Sequence, residues 1–363
     1  MIKSLGRGGA EMLLPETLSQ HDRENFEFYY VYFLPWKNQV VKDIESHGGK
    51  VLCFSAANNV RIMMRARRIA NYVKKEDIKI IHCHLPWAGI VGRIAGRLAG
   101  VPVVYTEHNK WERYNKLTYL ANKFTFPWQK RVIAVSADVK HSIQRFYKKS
   151  APQIDVVLNG VNHHKFLRST FFDTDIRKEL GIPEEAFVIG IISVFRVQKR
   201  LLRWLDIAAE IHKSNPNTWF IIVGDGPLKQ EIFARAKENN MDAYLHFAGL
   251  QTEVRPYLKA MDIFMMTSEF EGLPIALLES MSMECVPACT RAGGIPELIE
   301  DEQNGLLVPV NQPELLAGKV IELISDKERM KRLGTEARKT VADRFSMKQM
   351  VASLENIYKN ILN

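Results

Sequence analysis

Short β-branched runs alternate with helix-patterned stretches along nearly the whole chain, and this alternation constrains the fold more than any other feature. In the first half, Ile78–His84, Val101–Thr106, Arg131–Ser136 and Asp155–Leu158 read as strands, with a glycine-bearing helix at Trp87–Leu98. A second series follows, with strands at Ala186–Ser193, Trp219–Val223, Leu245–Ala248, Ile263–Met266 and Cys285–Cys289 and a helix at Leu202–His212. Apolar strands separated by helices pair in parallel, because each crossover needs a helix to return the chain to the same sheet edge. The chain is therefore α/β, and 363 residues suffice for about two such domains. We expect a first domain over 1–165, a connector without strand character over 166–185, a second domain over 186–345, and a closing helix over 346–363. That helix carries Met350, Val351, Leu354, Ile357, Tyr358 and Ile361 as one apolar stripe.

Composition excludes several classes. No run approaches the roughly 18 apolar residues of a bilayer span, and Lys3, Arg7 and Glu11 interrupt any signal-peptide pattern. The four cysteines, Cys53, Cys83, Cys285 and Cys289, lack zinc-site spacing and read as reduced thiols of a cytosolic protein. Residues 1–165 hold 26 Lys and Arg against 13 Asp and Glu, a balance of +13, which leaves −4 for the remainder of a chain at +9. A basic half beside a mildly acidic half suits an anionic surface or acceptor. No helix-turn-helix, finger or aromatic–glycine sheet motif points to nucleic acid. A first strand is expected before Gly6, where only Met1–Leu5 stand, so the chain reads as clipped or as starting from a misplaced codon.

Chemistry concentrates at the ends of the expected strands. In Ser268–Met281, Glu271 and Glu279 lie eight residues apart across a Glu-Gly-Leu-Pro turn. A helix beginning near Pro274 would hold Glu279 about one turn inside it. Carboxylates accept hydrogen bonds in pairs and suit sugar and ribose hydroxyls; acidic residues favoured by the helix dipole are the structural alternative. Gly6-Arg-Gly-Gly-Ala-Glu11 is either a tight turn or an anion-binding helix start. Arg196, Lys199 and Arg200 follow the first strand of the second series, as a solvated basic turn or a diphosphate site. Val223-Gly-Asp-Gly-Pro-Leu228 and Thr290–Glu297, with Gly293 and Gly294, repeat the glycine turn. Glycine loops at several strand ends of one sheet match the rule that ligands bind beyond the carboxyl ends of parallel strands.

Taken in order, these elements resemble the group-1 glycosyltransferases, family 4 in carbohydrate-enzyme classification. Leu5–Glu11, Ile133–Ser136, Leu158–Val161 with Phe166, Val223–Leu228, the Glu271/Glu279 pair, Gly293-Gly294 with Glu297, and Arg344–Ser346 each match a family element. The resemblance implies a GT-B fold: two Rossmann-like domains facing across a cleft, with the C-terminal helix crossing back to the first domain. It implies that Glu279 holds the ribose of a nucleotide-sugar, that Glu271 lies near the donor sugar, and that Lys199 faces the diphosphate. Gly8, Gly9, Gly224, Gly293 and Gly294 belong to its donor loops. His108, in Tyr105-Thr-Glu-His-Asn109, matches a cleft histidine; a structural histidine is the alternative.

Two positions depart from the pattern. Val194 stands where the family has an arginine, and Arg196, two residues on along the same strand face, is the expected substitute. Glu284 replaces a glycine after the helix, which puts the local packing in question. Asp173-Thr-Asp175 imitates a metal motif of the other glycosyltransferase fold, but its place before Arg177–Leu180 suits a helix cap. His82 and His84 alternate along one strand without a third ligand nearby and read as strand-end residues.

Between Lys110 and Arg131, Trp111, Tyr114, Tyr119, Phe124, Phe126 and Trp128 interleave with six basic residues and a single acid, Glu112. This suits either an anionic membrane surface or a core helix with snorkelling cations. The expected function is sugar transfer, with retention, from a nucleotide-sugar to a glycan or lipid-linked acceptor in surface polysaccharide or lipopolysaccharide synthesis. No metal or other cofactor is expected, and the place is the cytoplasm, peripheral to the inner membrane face. A nucleotide-sugar epimerase of similar fold and a non-catalytic nucleotide-sugar-binding scaffold are the competing readings.

Overall fold

The computed structural model describes residues 1–147 and 152–363, which form two compact units: Met1–Gly160 with Met347–Asn363, and Val161–Ser346. The first crossing falls at Gly160–Val161 rather than at 165. Residues 166–185 pack as part of the second unit, where Arg168 and Arg177 both reach the Asp262 carboxylate, at 3.3 and 2.7 Å. A bridge between Val161 and Ser346 ties the two ends of that unit together.

In the first unit, β1 (Tyr29–Tyr32) pairs in parallel with β2 (Lys50–Cys53). The strands β3 (Ile81–His84), β4 (Val103–Glu107), β5 (Arg131–Ala134) and β6 (Gln153–Val156) form a parallel four-stranded sheet in that order. Met1–Leu5 runs between the two sheets: the Ile2 N–H donates to Val31 O at 3.0 Å, and the His84 N–H donates to Met1 O at 2.9 Å. Central β4 is buried at every residue, as a strand covered on both faces must be. The closing helix, Met347–Leu362, lays Leu354 and Tyr358 against Val104, Ile133 and Val157. The apolar stripe read from the sequence is thus what holds it to the first unit.

The second unit is one six-stranded parallel sheet built from β7 (Phe187–Ile192), β8 (Thr218–Val223), β9 (Leu245–Gly249), β10 (Ile263–Met266), β11 (Val286–Thr290) and β12 (Leu306–Val308). Its order is β12-β11-β10-β7-β8-β9, so the chain reverses direction across the sheet between β7 and β10. That reversal opens a crevice beyond the carboxyl ends of these two strands.

β1, β2 and β12 have little signal in sequence. β1 is a tyrosine-rich four-residue run, β2 is exposed at both ends, and β12 is three residues long. Conversely, β3 begins at Ile81 rather than Ile78. Glu284 keeps the packing that its identity put in question by taking a positive φ of 61° after the helix Ile275–Ser282. There the Cys285 N–H donates to Ser280 O at 3.0 Å, closing the helix end as a glycine would. Asp175 caps the short helix Ile176–Glu179, accepting from the Arg177 and Lys178 N–H groups.

Candidate active site

The crevice between β7 and β10 is crossed by an ion pair. Lys199 ends a 3-10 turn after β7, and Glu271 lies in the loop after β10; Lys199 Nζ stands 2.6 Å from Glu271 Oε1. The Ser268 hydroxyl donates to the same oxygen at 2.6 Å. The side chains are only 17% and 11% exposed, so the charges strengthen one another in a partly dry setting while an incoming ligand can still reach them. Backbone bonds fix both loops: the Glu269 N–H donates to Gln198 O, and the Thr267 hydroxyl lies 3.1 Å from the carbonyls of Lys199 and Arg200.

Two glycines are required by space. Gly293, after β11, has φ +58°, and a Cβ there would lie 1.8 Å from the carbonyl oxygen of Glu271. Gly224, after β8, has φ +133°, and a Cβ there would lie 1.9 Å from Ser193 O. Any side chain would push apart the loops that carry Glu271 and Arg196. Gly294 follows as the N-cap of Ile295–Leu298, its N–H donating to Gly272 O at 3.0 Å. Glu279 lies in the second turn of the helix Ile275–Ser282 and is partly exposed. That helix starts at Pro274 with no side-chain cap, leaving its first N–H groups available to an anion.

The cations divide. Arg200 turns away: it holds Val310 O at 2.7 Å and lies 3.9 Å from Glu269. Arg196 presents an exposed side chain. The expected strand face shared by Val194 and Arg196 is corrected, because β7 stops at Ile192 and Val194–Arg196 is loop, with Phe195 buried between them; this does not bear on whether Arg196 serves as the cation.

His108, Gly8 and Gly9 belong to the first unit, and the residues above belong to the second. Gly8 is the N-cap of the helix Gly9–Leu18. His108 follows β4 and lies 3.1 Å, Nε2 to Nδ1, from His84. His82 stacks on His84 and bonds both the Tyr358 hydroxyl, at 2.6 Å, and the Thr106 hydroxyl, at 2.7 Å. Burial lowers all three imidazoles, His108 to about 4, so this row is neutral and offers hydrogen bonds rather than charge. Among the described residues, no cluster of three or more His, Cys, Asp or Glu suits a metal ion.

Sequence reasoning missed Ser268 and Glu107. Ser268 stands in the quoted motif, and its signal is its three-residue spacing from Glu271. Glu107 precedes His108 and is fully buried, accepting from the hydroxyls of Tyr105 and Tyr114, the Trp111 indole and the Asn109 N–H. Burial pushes its carboxyl above the usual range, against the pull of those donors. Trp111 and Phe126 are also core, which decides for these two between the alternatives of membrane surface and core. What the segment does expose is a face of the helix Lys116–Thr125 made of Leu117, Leu120 and Phe124, at 68%, 61% and 72%.

The family Glycosyltransferase Family 4 matches residues 7–165, and Glycosyl transferases group 1 matches residues 172–340. The chain is 27% identical over 298 residues to the UDP-Gal:alpha-D-GlcNAc-diphosphoundecaprenol alpha-1,3-galactosyltransferase of Escherichia coli, covering 79% of this chain and 76% of that one. It is 26% identical to the N-acetyl-alpha-D-glucosaminyl L-malate synthase of Bacillus anthracis, over 98% of this chain and 94% of the relative. Its fold superposes on that of Anabaena Alr3699/HepE in complex with UDP-glucose with a TM-score of 0.86 at 21% identity, covering 98% of each chain. With both of its halves matched in order and this architecture around the Lys199–Glu271 crossing, the chain belongs to the group-1, family 4 glycosyltransferases of GT-B fold.

Proposed function

We propose that this protein transfers a hexosyl or N-acetylhexosaminyl group from a UDP-sugar to a lipid-linked or glycan acceptor, with retention of anomeric configuration. The observation that carries the reading is the Lys199–Glu271 pair across the reversal point of the second sheet. Lys199 and Arg196 meet the diphosphate, Glu279 accepts from the ribose hydroxyls, and Glu271, held by Lys199 and Ser268, faces the donor sugar. As the sugar–phosphate bond breaks, negative charge grows on the departing UDP. Lys199, Arg196 and the uncapped start of the helix Ile275–Ser282 stabilise that charge, so the reaction proceeds without a metal. The nucleoside diphosphate named for the relatives supports UDP as the carrier. The test is to incubate the purified protein and a lipid-linked sugar acceptor with UDP-glucose, UDP-galactose or UDP-N-acetylglucosamine and follow UDP release and the anomeric signal of the new glycosidic bond, with and without a chelator. An α-linked product formed at undiminished rate in chelator supports the proposal; a β-linked product, or activity restored only by manganese, refutes it.

The acceptor reading rests on the exposed face of the helix Lys116–Thr125. Leu117, Leu120 and Phe124 are spaced to lie on one side, and Lys116, Lys123 and Lys130 are exposed around them. An apolar strip rimmed by cations fits the headgroup region of an anionic bilayer, each basic residue near the surface contributing about 1 kcal/mol. This supports a peripheral place at the inner membrane face and a lipid-linked acceptor; no helix among the described residues is long and apolar enough to span. Flotation with anionic vesicles decides it: Leu117→Ser with Phe124→Ser should release the protein and leave donor hydrolysis intact. Equal flotation with neutral vesicles would remove the electrostatic part of the reading.

A further inference from the structure

The helix Lys116–Thr125 is docked inside out. Its buried residues, Thr118, Asn122 and Thr125, are all polar, while Leu117, Leu120 and Phe124 are exposed. At about 100° per residue the two sets fall on nearly opposite faces. Tyr119, between the faces, packs edge-on against Trp111. A surface helix ordinarily turns its apolar stripe to the core, so the reverse needs a cause. The inner face meets Arg93, a fully buried residue of the helix Pro86–Ala99. Its Nη1 donates to Asn122 Oδ1 at 2.7 Å and to Thr125 Oγ1 at 2.9 Å, and its Nε donates to Gln129 Oε1 at 2.6 Å. The Tyr105 ring lies 4.6 Å and the Phe126 ring 5.5 Å from its Cζ. The cation is thus held by neutral oxygens and aromatic faces.

Hydrophobic burial is non-directional, and on that ground alone the helix would turn Leu117, Leu120 and Phe124 inward. Turning it would strip a buried guanidinium of its oxygens, and an uncompensated buried charge costs more than a paired one contributes. A buried polar network of this kind selects one arrangement over another more than it adds stability. We propose that Arg93 is a positioning residue for the exposed strip: its fork fixes the rotation of the helix Lys116–Thr125, and so keeps Leu117, Leu120 and Phe124 facing outward. What the strip meets is an anionic bilayer, and that part rests on the function proposed above. Lys116, Lys123 and Lys130 are exposed around it, and a headgroup layer takes apolar side chains and cations together.

The experiment places a thiol on the strip by Leu120→Cys in a Cys53→Ser background, Cys53 being exposed and the other three cysteines buried. Maleimide labelling of the monomer is timed, and flotation is measured on vesicles of anionic lipid. Adding Arg93→Met removes the fork, so the strip turns inward: labelling should slow about tenfold or more, and flotation should be lost. Adding Leu117→Ser and Phe124→Ser to Arg93→Met removes the drive to turn, and labelling should return to the rate seen with Arg93 in place. Equal labelling with and without Arg93→Met would overturn the proposal. So would slow labelling that persists after the two serines are added, since the rotation would then not be what Arg93 controls. Fast labelling with Arg93 in place but no flotation would refute the bilayer reading alone.

Discussion

The two sheets handle the same position differently. In the second unit the reversal between β7 and β10 is closed by a charged contact, Lys199 to Glu271, and braced by glycines that touch neighbouring backbone. In the first unit, the corresponding place between β1 and β3 holds Met1–Leu5, an apolar gap, and the row His82–His84–His108, kept neutral by burial. On the proposed function, one unit meets an anion that gains charge during reaction. The other offers a row of neutral imidazoles able to hydrogen-bond. The contrast teaches where to look for each kind of failure: chemistry should break at the second sheet, and stability at the first.

Lys199→Ala should give the largest effect. Losing a cation aimed at the departing diphosphate should cost about 10²–10³ in kcat, while Arg200→Ala, which loses only its bonds toward Val310 and Glu269, should cost far less. Steady-state kinetics check this, and comparable losses from both would dissolve the distinction between the cations. Next, Leu354→Ala should destabilise the first unit by about 3 kcal/mol, because it leaves a cavity against Val104, Ile133 and Val157. Denaturant melts that resolve the two units should move one transition only; a shift in both would mean the closing helix serves the whole molecule.

A weaker test uses pH. His82, His84 and His108 bind protons less readily in the native first unit than in the unfolded chain. Between the ordinary histidine value of 6.5 and the value of about 4 for His108, the unfolded state therefore holds more protons, and stability must fall as pH falls through that window. His108→Asn should flatten part of the slope measured by thermal melts; an unchanged slope would place the acid sensitivity elsewhere. The smallest effect is a gain. Glu284 holds a left-handed conformation that suits glycine, so Glu284→Gly should stabilise the second unit by about 1 kcal/mol. A loss would mean that the Glu284 carboxylate, 3.9 Å from Arg338, contributes more than the strain costs.

The sequence is most legible where one residue type answers one local demand. The helix start at Pro274 came through intact, and so did the stripe of the closing helix, because periodicity and turn chemistry act over a few residues. The Arg196 substitution was argued from strand alternation, which ends once the chain leaves the sheet at Ile192. The aromatics of 110–131 left two readings open for a related reason. Composition does not say which side of a helix faces inward, and the packing buried Trp111 and Phe126 while exposing leucines that carried no special signal. The Glu107 network is non-local in part: its partners are close in sequence, but its burial comes from the sheet.

The most direct test of the second unit as the donor site is calorimetric titration with UDP of Glu279→Ala and Glu271→Ala beside the parent protein. Loss of the ribose contacts should weaken UDP binding to Glu279→Ala by about 1.5–3 kcal/mol per hydrogen bond. Glu271→Ala should bind UDP nearly as the parent does and fail in turnover. Unchanged UDP affinity in Glu279→Ala would contradict the account.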